Sequence, residues 1–456
     1  MVGVVGDELV VPLLDLGLGN SAYLVDLGDG RALAVDPSRD LRALDTAAER
    51  RGLRVVAAAD THLHADFLSG ATRLAARDGA EVYGSAAGGR EFPHTRLGDG
   101  DEVDLGGLTL RAWATPGHTG EHLAYLLLDG DRTLGVFTGG SLLVGAAART
   151  DLVSPEQTEP LARAQYASLR RLATLPDDTA VFPTHGAGSF CSAPPGAERT
   201  TTIGREKASN ALLAAPDEDT FVRQLLGSLG TFPPYFLRLA EVNRRGPALP
   251  PTDGGLAPLT PAQLQQLRAA GGEIIDVRPP ADYSAGHIRG SLAITLRGVF
   301  ATWLGWLVND PATPLAFVRN PDQDPDEIVW QARKVGYDHL AGELAGGMSA
   351  WAAAGRPVAI IPLLGPTDVD PARVVDVRQT AEYTAGHLPA ARNVELGALV
   401  GTDLPAGPLV TMCGHSERAT TAASLLEREG RSDVAVLFVG PHEWAETTGS
   451  PVEVGA

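Results

Sequence analysis

The chain has 456 residues, about three times the roughly 150 residues of an ordinary domain, so several domains are expected. Hydrophobic residues make up 44% and charged residues 20%, which excludes a disordered chain and lets each domain bury its own core. The net charge of −19 argues against nucleic acids and anionic membranes as partners, because both bind clustered Lys and Arg.

The N-terminal segment, residues 1–17, has neither the positive start nor the long apolar run of a secretory leader. No window approaches the ~18 apolar residues of a membrane span. The only two cysteines, Cys191 and Cys413, are too few for a disulfide scaffold and fit a reducing compartment. We therefore expect a soluble, cytoplasmic protein.

Histidines are concentrated in the first part of the chain, where they follow strand-like apolar runs. A His-x-His-x-Asp triplet at 62–66 comes directly after such a run, and two further histidines stand in later loops. Histidines in loops at the ends of strands are typical of metal sites, because neutral imidazole is the commonest metal ligand. The alternative is a set of ordinary turn and core residues. The candidate metal ligands are His62, His64, Asp66, His118 and His185.

The segments around these histidines resemble the metallo-β-lactamase fold, and more narrowly its branch fused to rhodanese domains, the persulfide dioxygenase–sulfurtransferase fusions. The resemblance implies an αββα sandwich with one iron held by His62, His118 and an aspartate in a later FTGD segment. The matching segments, in chain order, are THLHADFLSG, TPGHTGEH, FTGGSLLVGAAARTDL, PTHGAGSFCS, TTIGREKASN and TFPPYFLRLAEVN.

The chain departs from this pattern at Gly140, which stands where the family places its aspartate and has no side chain to bind a metal. Phe67 replaces the second-metal histidine of two-metal hydrolases such as glyoxalase II. Two histidines with a carboxylate suit Fe(II) and oxygen, whereas three histidines suit Zn(II) with a bound water. We expect one Fe(II) or Zn(II) and a weakened or absent dioxygenase activity, with Asp66 as a possible substitute ligand. Cys191 is expected to be structural.

An internal repeat organises the rest of the chain. Residues 274–288 and 374–388 share Asp-Val-Arg, a tyrosine and Gly-His at the same positions. Each copy opens with a β-branched run, and helical and strand-like segments then alternate, which predicts α/β domains with parallel sheets. His287 and His387 in the repeats are expected to be structural. The turn-rich segments at 246–255 and 362–371 mark the joins. The predicted domains are an N-terminal domain (1–250) with a C-terminal helical extension, a middle domain (258–358) and a C-terminal domain (370–456).

The middle domain contains no cysteine. Aligning its segment 314–327 on the corresponding segment of the C-terminal domain puts Arg319 opposite Cys413 and Asp324 opposite Arg418. Nucleophilic catalysis in the middle domain is therefore excluded by residue type, and a scaffold role is expected, with substrate or partner binding as the alternative. Trp303 and Trp306 are expected to be core residues.

The C-terminal domain carries the clearest chemical signal. The strand-like run PLVTM leads into the loop CGHSER and then into a predicted helix. Backbone amides of such a loop and the helix dipole form an anion cradle, which is expected to shift the Cys413 thiol toward thiolate, both a nucleophile and a sulfur acceptor. Arg418 is expected to hold the loop closed, with Asp376 as its partner.

This domain resembles the rhodanese family over its whole length. The resemblance implies that Cys413 takes sulfane sulfur from a donor as a persulfide and passes it to a thiophilic acceptor. Four residues separate Cys413 from Arg418, as in rhodanese loops, whereas related phosphatases have five. The loop interior, 414–417, has no Lys or Arg, so a persulfide donor is as suitable as thiosulfate.

The sequence thus predicts an α/β enzyme of sulfane-sulfur metabolism, comprising a metallo-β-lactamase-type αββα sandwich and two rhodanese-like domains with parallel sheets. The expected partners are persulfides or thiosulfate, low-molecular-weight thiols and sulfite. A non-catalytic sulfur-binding or sensing protein and a Zn-dependent thioester hydrolase of glyoxalase II type are the alternatives. A single chain and an assembly of identical copies are both compatible with the sequence.

Overall fold

The computed structural model describes residues 9–191, 198–251 and 255–455. Two stretches discussed above lie outside the described residues. They are residues 1–8 of the N-terminal segment and residues 252–254 of the first turn-rich join. The chain divides into two compact units. One comprises the described residues up to Pro251 together with Arg333–Gly336, and the other comprises the remaining described residues.

The N-terminal domain contains two six-stranded sheets, each mostly in chain order. The first sheet consists of β1 (Val10–Asp15), β2 (Asn20–Gly28), β3 (Arg31–Val35), β4 (Arg54–Ala59), β5 (Glu81–Ser85) and β6 (Thr95–Leu97). The second consists of β7 (Glu102–Asp104), β8 (Thr109–Ala114), β9 (Leu123–Asp129), β10 (Arg132–Gly139), β11 (Ala180–Pro183) and β12 (Thr201–Thr202).

Helices cover the outer faces of both sheets. They are α1 (Arg42–Arg51), α2 (Ala71–Asp78), α3 (Pro155–Leu172), α4 (Ile203–Ser209), α5 (Glu218–Gly227) and α6 (Phe236–Arg245). Local sequence explains their starts. Pro155 opens α3, where a missing backbone N–H costs nothing. The Asp217 side chain accepts a hydrogen bond from the Thr220 amide and caps α5.

The core of this domain lies between the two sheets. Tyr23 and Val35 of the first sheet pack with Tyr125, Phe137 and Phe182 of the second in one buried cluster. Separate clusters join the first sheet to α1 and α2, and the second sheet to α3 and α5. The layers are therefore helix, sheet, sheet and helix, which confirms the expected αββα sandwich.

The middle and C-terminal domains each contain a five-stranded, fully parallel sheet. The middle sheet has the order β13 (Pro258–Leu259), β17 (Leu340–Leu344), β16 (Leu315–Val318), β14 (Glu273–Asp276) and β15 (Leu292–Ala293). The C-terminal sheet has the order β18 (Leu363–Leu364), β22 (Val434–Leu437), β21 (Leu409–Met412), β19 (Val374–Asp376) and β20 (Arg392–Asn393). Strand β18 precedes residue 370, the expected start of the C-terminal domain.

Helices flank both sheets, as the right-handed crossovers between parallel strands require. In the middle domain they are α7 (Pro261–Ala269), α8 (Pro280–Ala285), α9 (Phe300–Leu307), α10 (Pro325–Arg333) and α11 (Gly347–Ala353). In the C-terminal domain they are α12 (Thr380–Ala385), α13 (Glu417–Arg428) and α14 (Pro441–Thr448). The two parallel sheets confirm the predicted fold class.

The repeated sequence builds the same internal supports in both domains. Asp276 Oδ2 accepts a hydrogen bond from Arg278 Nη2 at 2.6 Å, and Asp376 binds Arg378 in the same way at the same distance. The ring of His287 stacks on Tyr283 with centroids 4.0 Å apart, and His387 repeats this contact on its own tyrosine. Both histidines are buried, and His287 Nε2 also lies 3.3 Å from Glu427 of the C-terminal domain.

Within the part of the chain that the structure describes, none of the helices is both long enough and apolar enough to cross a membrane.

Candidate functional sites

Three loop histidines of the N-terminal domain converge on one point. His62 follows β4, His118 lies between β8 and β9, and His185 follows β11, so each stands just beyond a strand. All three side chains are buried. One nitrogen from each ring lies within 4.8 Å of the others, and Nε2 of His62 is 3.4 Å from Nε2 of His185.

The second ring nitrogen of each histidine is held by a neighbour. His118 Nδ1 donates to the carbonyl oxygen of Arg149 at 2.6 Å. His185 Nδ1 lies 3.0 Å from Asn20 Oδ1, and His62 Nδ1 lies 2.8 Å from Thr61 Oγ1. Fixing one nitrogen orients the ring and leaves the other available to a metal, the usual arrangement around a ligating histidine.

Burial also keeps these imidazoles neutral. It lowers the pKa of His118 to about 3 and that of His185 to about 3, and the neighbouring histidines add to the effect on His118. Burial likewise lowers the pKa of His62 well below its ordinary value. Neutral imidazole is the form that binds metals, so the donor set fits a divalent ion such as Zn(II) or Fe(II).

The other two expected ligands are placed differently. His64 Nε2 lies 3.2 Å from Asp36 Oδ1. Burial opposes its charged form, but Asp36 outweighs burial and raises the pKa of His64 above its ordinary value. His64 also belongs to a second group of possible metal ligands, together with Asp36 and His62. Asp66 lies beside His185, with its Oδ2 accepting a hydrogen bond from Asn20 at 2.7 Å.

Gly140 lies directly against the ring of His118. An added Cβ at this glycine would be 2.7 Å from His118 Cγ and 3.1 Å from His118 Nε2, closer than ordinary contacts allow. The position is therefore adjacent to the three histidines, as its alignment with a ligand aspartate implied, but it supplies no donor.

His122 is a further buried histidine of this domain, to which the sequence analysis gave no role. Its ring stacks on His62 with centroids 5.1 Å apart. Its Nε2 accepts a hydrogen bond from the Gly140 amide at 3.0 Å, and its Nδ1 lies 2.8 Å from Thr115 Oγ1. Both nitrogens are engaged, so His122 supports the site. In the sequence, the signal for this supporting role was the spacing of four residues between His118 and His122.

In the C-terminal domain, Cys413 is the first residue after β21 and opens the loop that leads into α13. The backbone amides of His415 and Ala419 and the charge of Arg418 all favour the thiolate form of its sulfur. Ser416 adopts a left-handed conformation with φ of 63°, which turns the loop around the sulfur. The loop thus joins a strand to a helix, as the sequence predicted.

The expected shift of Cys413 toward thiolate is wrong for this closed loop. Burial raises the pKa of the thiol, and the charge of Arg418 with the amides of His415 and Ala419 only partly offsets that effect. Cys413 is 1% exposed. Removing a thiolate from water costs more than these groups return, so the buried thiol is harder to deprotonate than a free one.

The expected pairing of Arg418 with Asp376 is also corrected. Arg418 Nη1 and Nη2 donate to the two carboxylate oxygens of Glu382 at 2.6 and 2.8 Å. Asp376 is 0% exposed and is engaged by Arg378 instead. Asp376 therefore stabilises the end of β19, which lies next to the loop. Glu382 of α12 holds Arg418, the arginine that closes the loop.

The corresponding loop of the middle domain is filled by Arg319. Its guanidinium pairs with Glu343, with one contact of 2.9 Å, and donates to the carbonyl oxygens of Asn320 and Gln323 at 3.2 and 3.0 Å. The carbonyl oxygens of this loop thus bind a cation, the opposite of what an anion-binding loop requires. This arrangement agrees with the absence of a nucleophile there.

Comparison with known families matches all three domains. The metallo-beta-lactamase superfamily model matches residues 16–185, and the rhodanese-like domain model matches residues 260–354 and 363–447. The chain belongs to the fusions of a metallo-β-lactamase-fold domain with rhodanese-like domains, as the sequence analysis expected.

Individual relatives cover different parts of the chain. A hydroxyacylglutathione hydrolase from Acidiphilium cryptum (strain JF-5) is 36% identical over 38% of this chain, and one from Methylococcus capsulatus (strain ATCC 33009 / NCIMB 11132 / Bath) is 34% identical over 39%. The chain spans 66% and 65% of their own lengths.

Two solved structures are also similar. A metallo-beta-lactamase from Staphylococcus aureus subsp. aureus COL is 27% identical with a TM-score of 0.64, over 74% of this chain and 98% of that one. ETHE1 from Myxococcus xanthus is 31% identical with a TM-score of 0.45, over 52% of this chain and 98% of that one.

Proposed function

We propose that the C-terminal domain is a sulfurtransferase in which Cys413 carries sulfane sulfur as a persulfide. The observation that carries this proposal is the position of Cys413 in the loop between β21 and α13, where the charge of Arg418 and the amides of His415 and Ala419 favour the thiolate. Such a loop stabilises an anion on the sulfur, and a persulfide anion is what the reaction must hold.

The transfer takes two displacements. The Cys413 thiolate attacks the outer sulfur of a donor R–S–SH, the donor S–S bond breaks, and its electron pair leaves with RS⁻ while Cys413–S–SH forms. After loss of a proton, the outer sulfur of Cys413–S–S⁻ is attacked by sulfite. The Cys413 thiolate returns and thiosulfate is released. With cyanide as acceptor the product is thiocyanate.

The loop favours a persulfide or thiosulfate donor over a phosphate ester. Four residues lie between Cys413 and Arg418, and the loop side chains include Glu417 but no Lys or Arg. The four-residue ring is smaller than the five-residue ring with which related phosphatases accommodate phosphate. The acceptors proposed are low-molecular-weight thiols and sulfite.

Sulfur transfer to cyanide in the full chain tests the proposal, with both single cysteine variants compared. We expect Cys413→Ser to abolish turnover and Cys191→Ser, the matched control, to retain it. Turnover retained in Cys413→Ser would overturn the proposal. One trapped persulfide per chain without turnover in the wild type would favour a sulfur store or sensor instead.

For the N-terminal domain we propose a single divalent ion, Zn(II) or Fe(II), held by His62, His118 and His185. The support is the convergence of three neutral imidazole nitrogens whose other nitrogens are already held. When bound, such an ion supplies Lewis acidity and lowers the pKa of a bound water. The protein orients the rings and excludes competing solvent.

Two reactions are candidates for this centre. The family resemblance implies oxidation of a persulfide, whereas the hydroxyacylglutathione hydrolases found among the relatives suggest thioester hydrolysis. The missing carboxylate at Gly140 favours thioester hydrolysis, because a site of three histidines suits Zn(II) with a bound water. Hydrolysis of lactoylglutathione that disappears on chelation would support a hydrolase. Brisk oxygen uptake with glutathione persulfide and one iron per chain would support a dioxygenase.

A further inference from the structure

Helix α13 packs on the middle domain along one face, and the contacting parts of both domains lie in the same compact unit. Ser424 Oγ accepts a hydrogen bond from the Ala293 amide at 3.2 Å. The Glu427 carboxylate accepts one from the Gly290 amide at 2.7 Å. Ser424 and Glu427 are seven and ten residues after Glu417, the first residue of the helix, so all three lie on the same face.

Arg297 of the middle domain lies at the start of this face. Its Nε is 3.5 Å from Oε1 of Glu417, which is also the last interior residue of the Cys413 loop. Among the described residues, the two Nη groups of Arg297 make no hydrogen bond, and the side chain is 44% exposed. A guanidinium with two free Nη groups can bind two oxygens of one oxyanion.

The segment after Arg297 is also packed on the C-terminal domain. The Phe300 amide donates to the Arg297 carbonyl oxygen at 2.8 Å, and Phe300 begins α9. Trp306 of α9 covers Gly397 of the C-terminal domain, where an added Cβ would be only 2.1 Å from Trp306 Nε1. Contacts between the two domains on both sides of Arg297 therefore hold it beside the loop.

The Cys413 loop has no free arginine or lysine of its own. Its interior, residues 414–417, contains one acid, Glu417, and no Lys or Arg. Both Nη groups of Arg418 are engaged by Glu382, at 2.6 and 2.8 Å. Burial raises the pKa of Cys413, and the charge of Glu417 adds to that effect. Glu417 therefore repels an anionic substrate unless a cation from outside the loop offsets its charge.

We infer that Arg297 is a substrate-binding residue of the Cys413 site, and that its Nη groups bind the oxyanion of a small anionic sulfur compound such as thiosulfate or sulfite. The middle domain, which has no cysteine, thereby supplies the positive charge that the loop lacks. The inference rests on the proposed sulfur transfer and names its substrate class, because it favours anionic donors and acceptors over neutral ones.

Alkylation tests Arg297 without relying on sulfur transfer. Iodoacetate carries a carboxylate and iodoacetamide is its neutral analogue, so the ratio of their rates with one thiol measures the attraction of an anion to that thiol. The measurement uses the full chain with Cys191→Ser, in which Cys413 is the only cysteine. Adding Arg297→Gln should lower the ratio roughly threefold, and adding Glu417→Gln should raise it by a similar factor.

Arg289→Gln is the matched control. It removes the same charge from the middle domain, but beside Glu427, near the opposite end of α13. In sulfur transfer from thiosulfate to cyanide, Arg297→Gln should raise KM for thiosulfate roughly threefold with little change in kcat, because the lost charge acts on binding. Arg289→Gln should leave both constants unchanged.

An unchanged alkylation ratio in Arg297→Gln, or an equal fall in Arg289→Gln, would overturn the inference. So would an unchanged KM for thiosulfate in Arg297→Gln. A fall in the ratio confined to Arg297→Gln, in a chain that transfers no sulfur, would support anion binding at Arg297 and would overturn the sulfur transfer proposed at Cys413.

Discussion

Arg418 and Glu382 are joined by two parallel hydrogen bonds of 2.6 and 2.8 Å, a forked pair that ties the helix after the Cys413 loop to α12. The pair explains how the loop stays closed without any base in its interior. Burial opposes ionisation of Glu382, but Arg418 lowers its pKa below the ordinary value, so the pair stays charged at neutral pH.

Glu382→Gln should therefore weaken sulfur transfer without removing the nucleophile. The Glu382 side chain is 42% exposed, so water screens the pair and the stability loss should be about 1 kcal/mol. We expect kcat/KM for cyanide to fall roughly tenfold, equivalent to about 1.4 kcal/mol. The matched control is Glu343→Gln, which breaks the Arg319 pair in the cysteine-free domain. Equal losses in both variants would contradict a role for Glu382 at the Cys413 loop.

The raised pKa of Cys413 predicts a late rise in reactivity with pH. Only the thiolate reacts with iodoacetamide, and burial shifts its formation above the usual pH of a free thiol. The measurement uses Cys191→Ser, in which Cys413 is the only cysteine. Adding Arg418→Gln removes a charge that lowers the pKa, so the rate curve should move to still higher pH. A plateau already reached near pH 7 would contradict the burial argument.

The buried Asp–Arg pairs of the two repeats are predicted to stabilise their domains alike. Asp276→Asn or Asp376→Asn would leave a buried arginine without its carboxylate, at a cost of roughly 3–5 kcal/mol. Calorimetry of the full chain should show an unfolding transition at lower temperature for each variant. Asp322→Asn, at an exposed position, should leave the transition temperature unchanged. If Asp376→Asn stopped transfer without shifting the transition, Asp376 would have a catalytic role instead.

Gly140→Ala tests the three-histidine centre through packing alone. The added methyl group would lie 2.7 Å from His118 Cγ, so the ring must move and metal affinity should fall about 10–100-fold. Gly120→Ala, in the loop that carries His118, is the control, because its Cβ would meet nothing within 4 Å. Metal content of both variants is compared after dialysis. Full occupancy in Gly140→Ala would show that His118 is not a ligand.

The sequence was sufficient for the fold class and for the loop that carries Cys413. Both depend on contiguous motifs, because the repeated Asp-Val-Arg and Gly-His segments each fold within one domain. The partner of Arg418 was mistaken because Glu382 lies 36 residues away, and only the packing of α12 brings it close.

Burial and long-range packing explain the remaining differences between the predicted and the observed sites. The pKa of Cys413 depends on how completely the closed loop excludes water, which no local motif records. The convergence of His185 with His62 and His118 likewise depends on packing between distant segments, as does the contact of His64 with Asp36, a residue before the triplet.

The most direct test of sulfur transfer is to locate the sulfur. Wild-type protein is incubated with glutathione persulfide, its thiols are blocked, and its peptides are analysed by mass spectrometry. We predict one extra sulfur atom on the peptide containing Cys413, lost on addition of sulfite with formation of an equal amount of thiosulfate. An unmodified Cys413 alongside continuing thiosulfate formation would contradict the assignment.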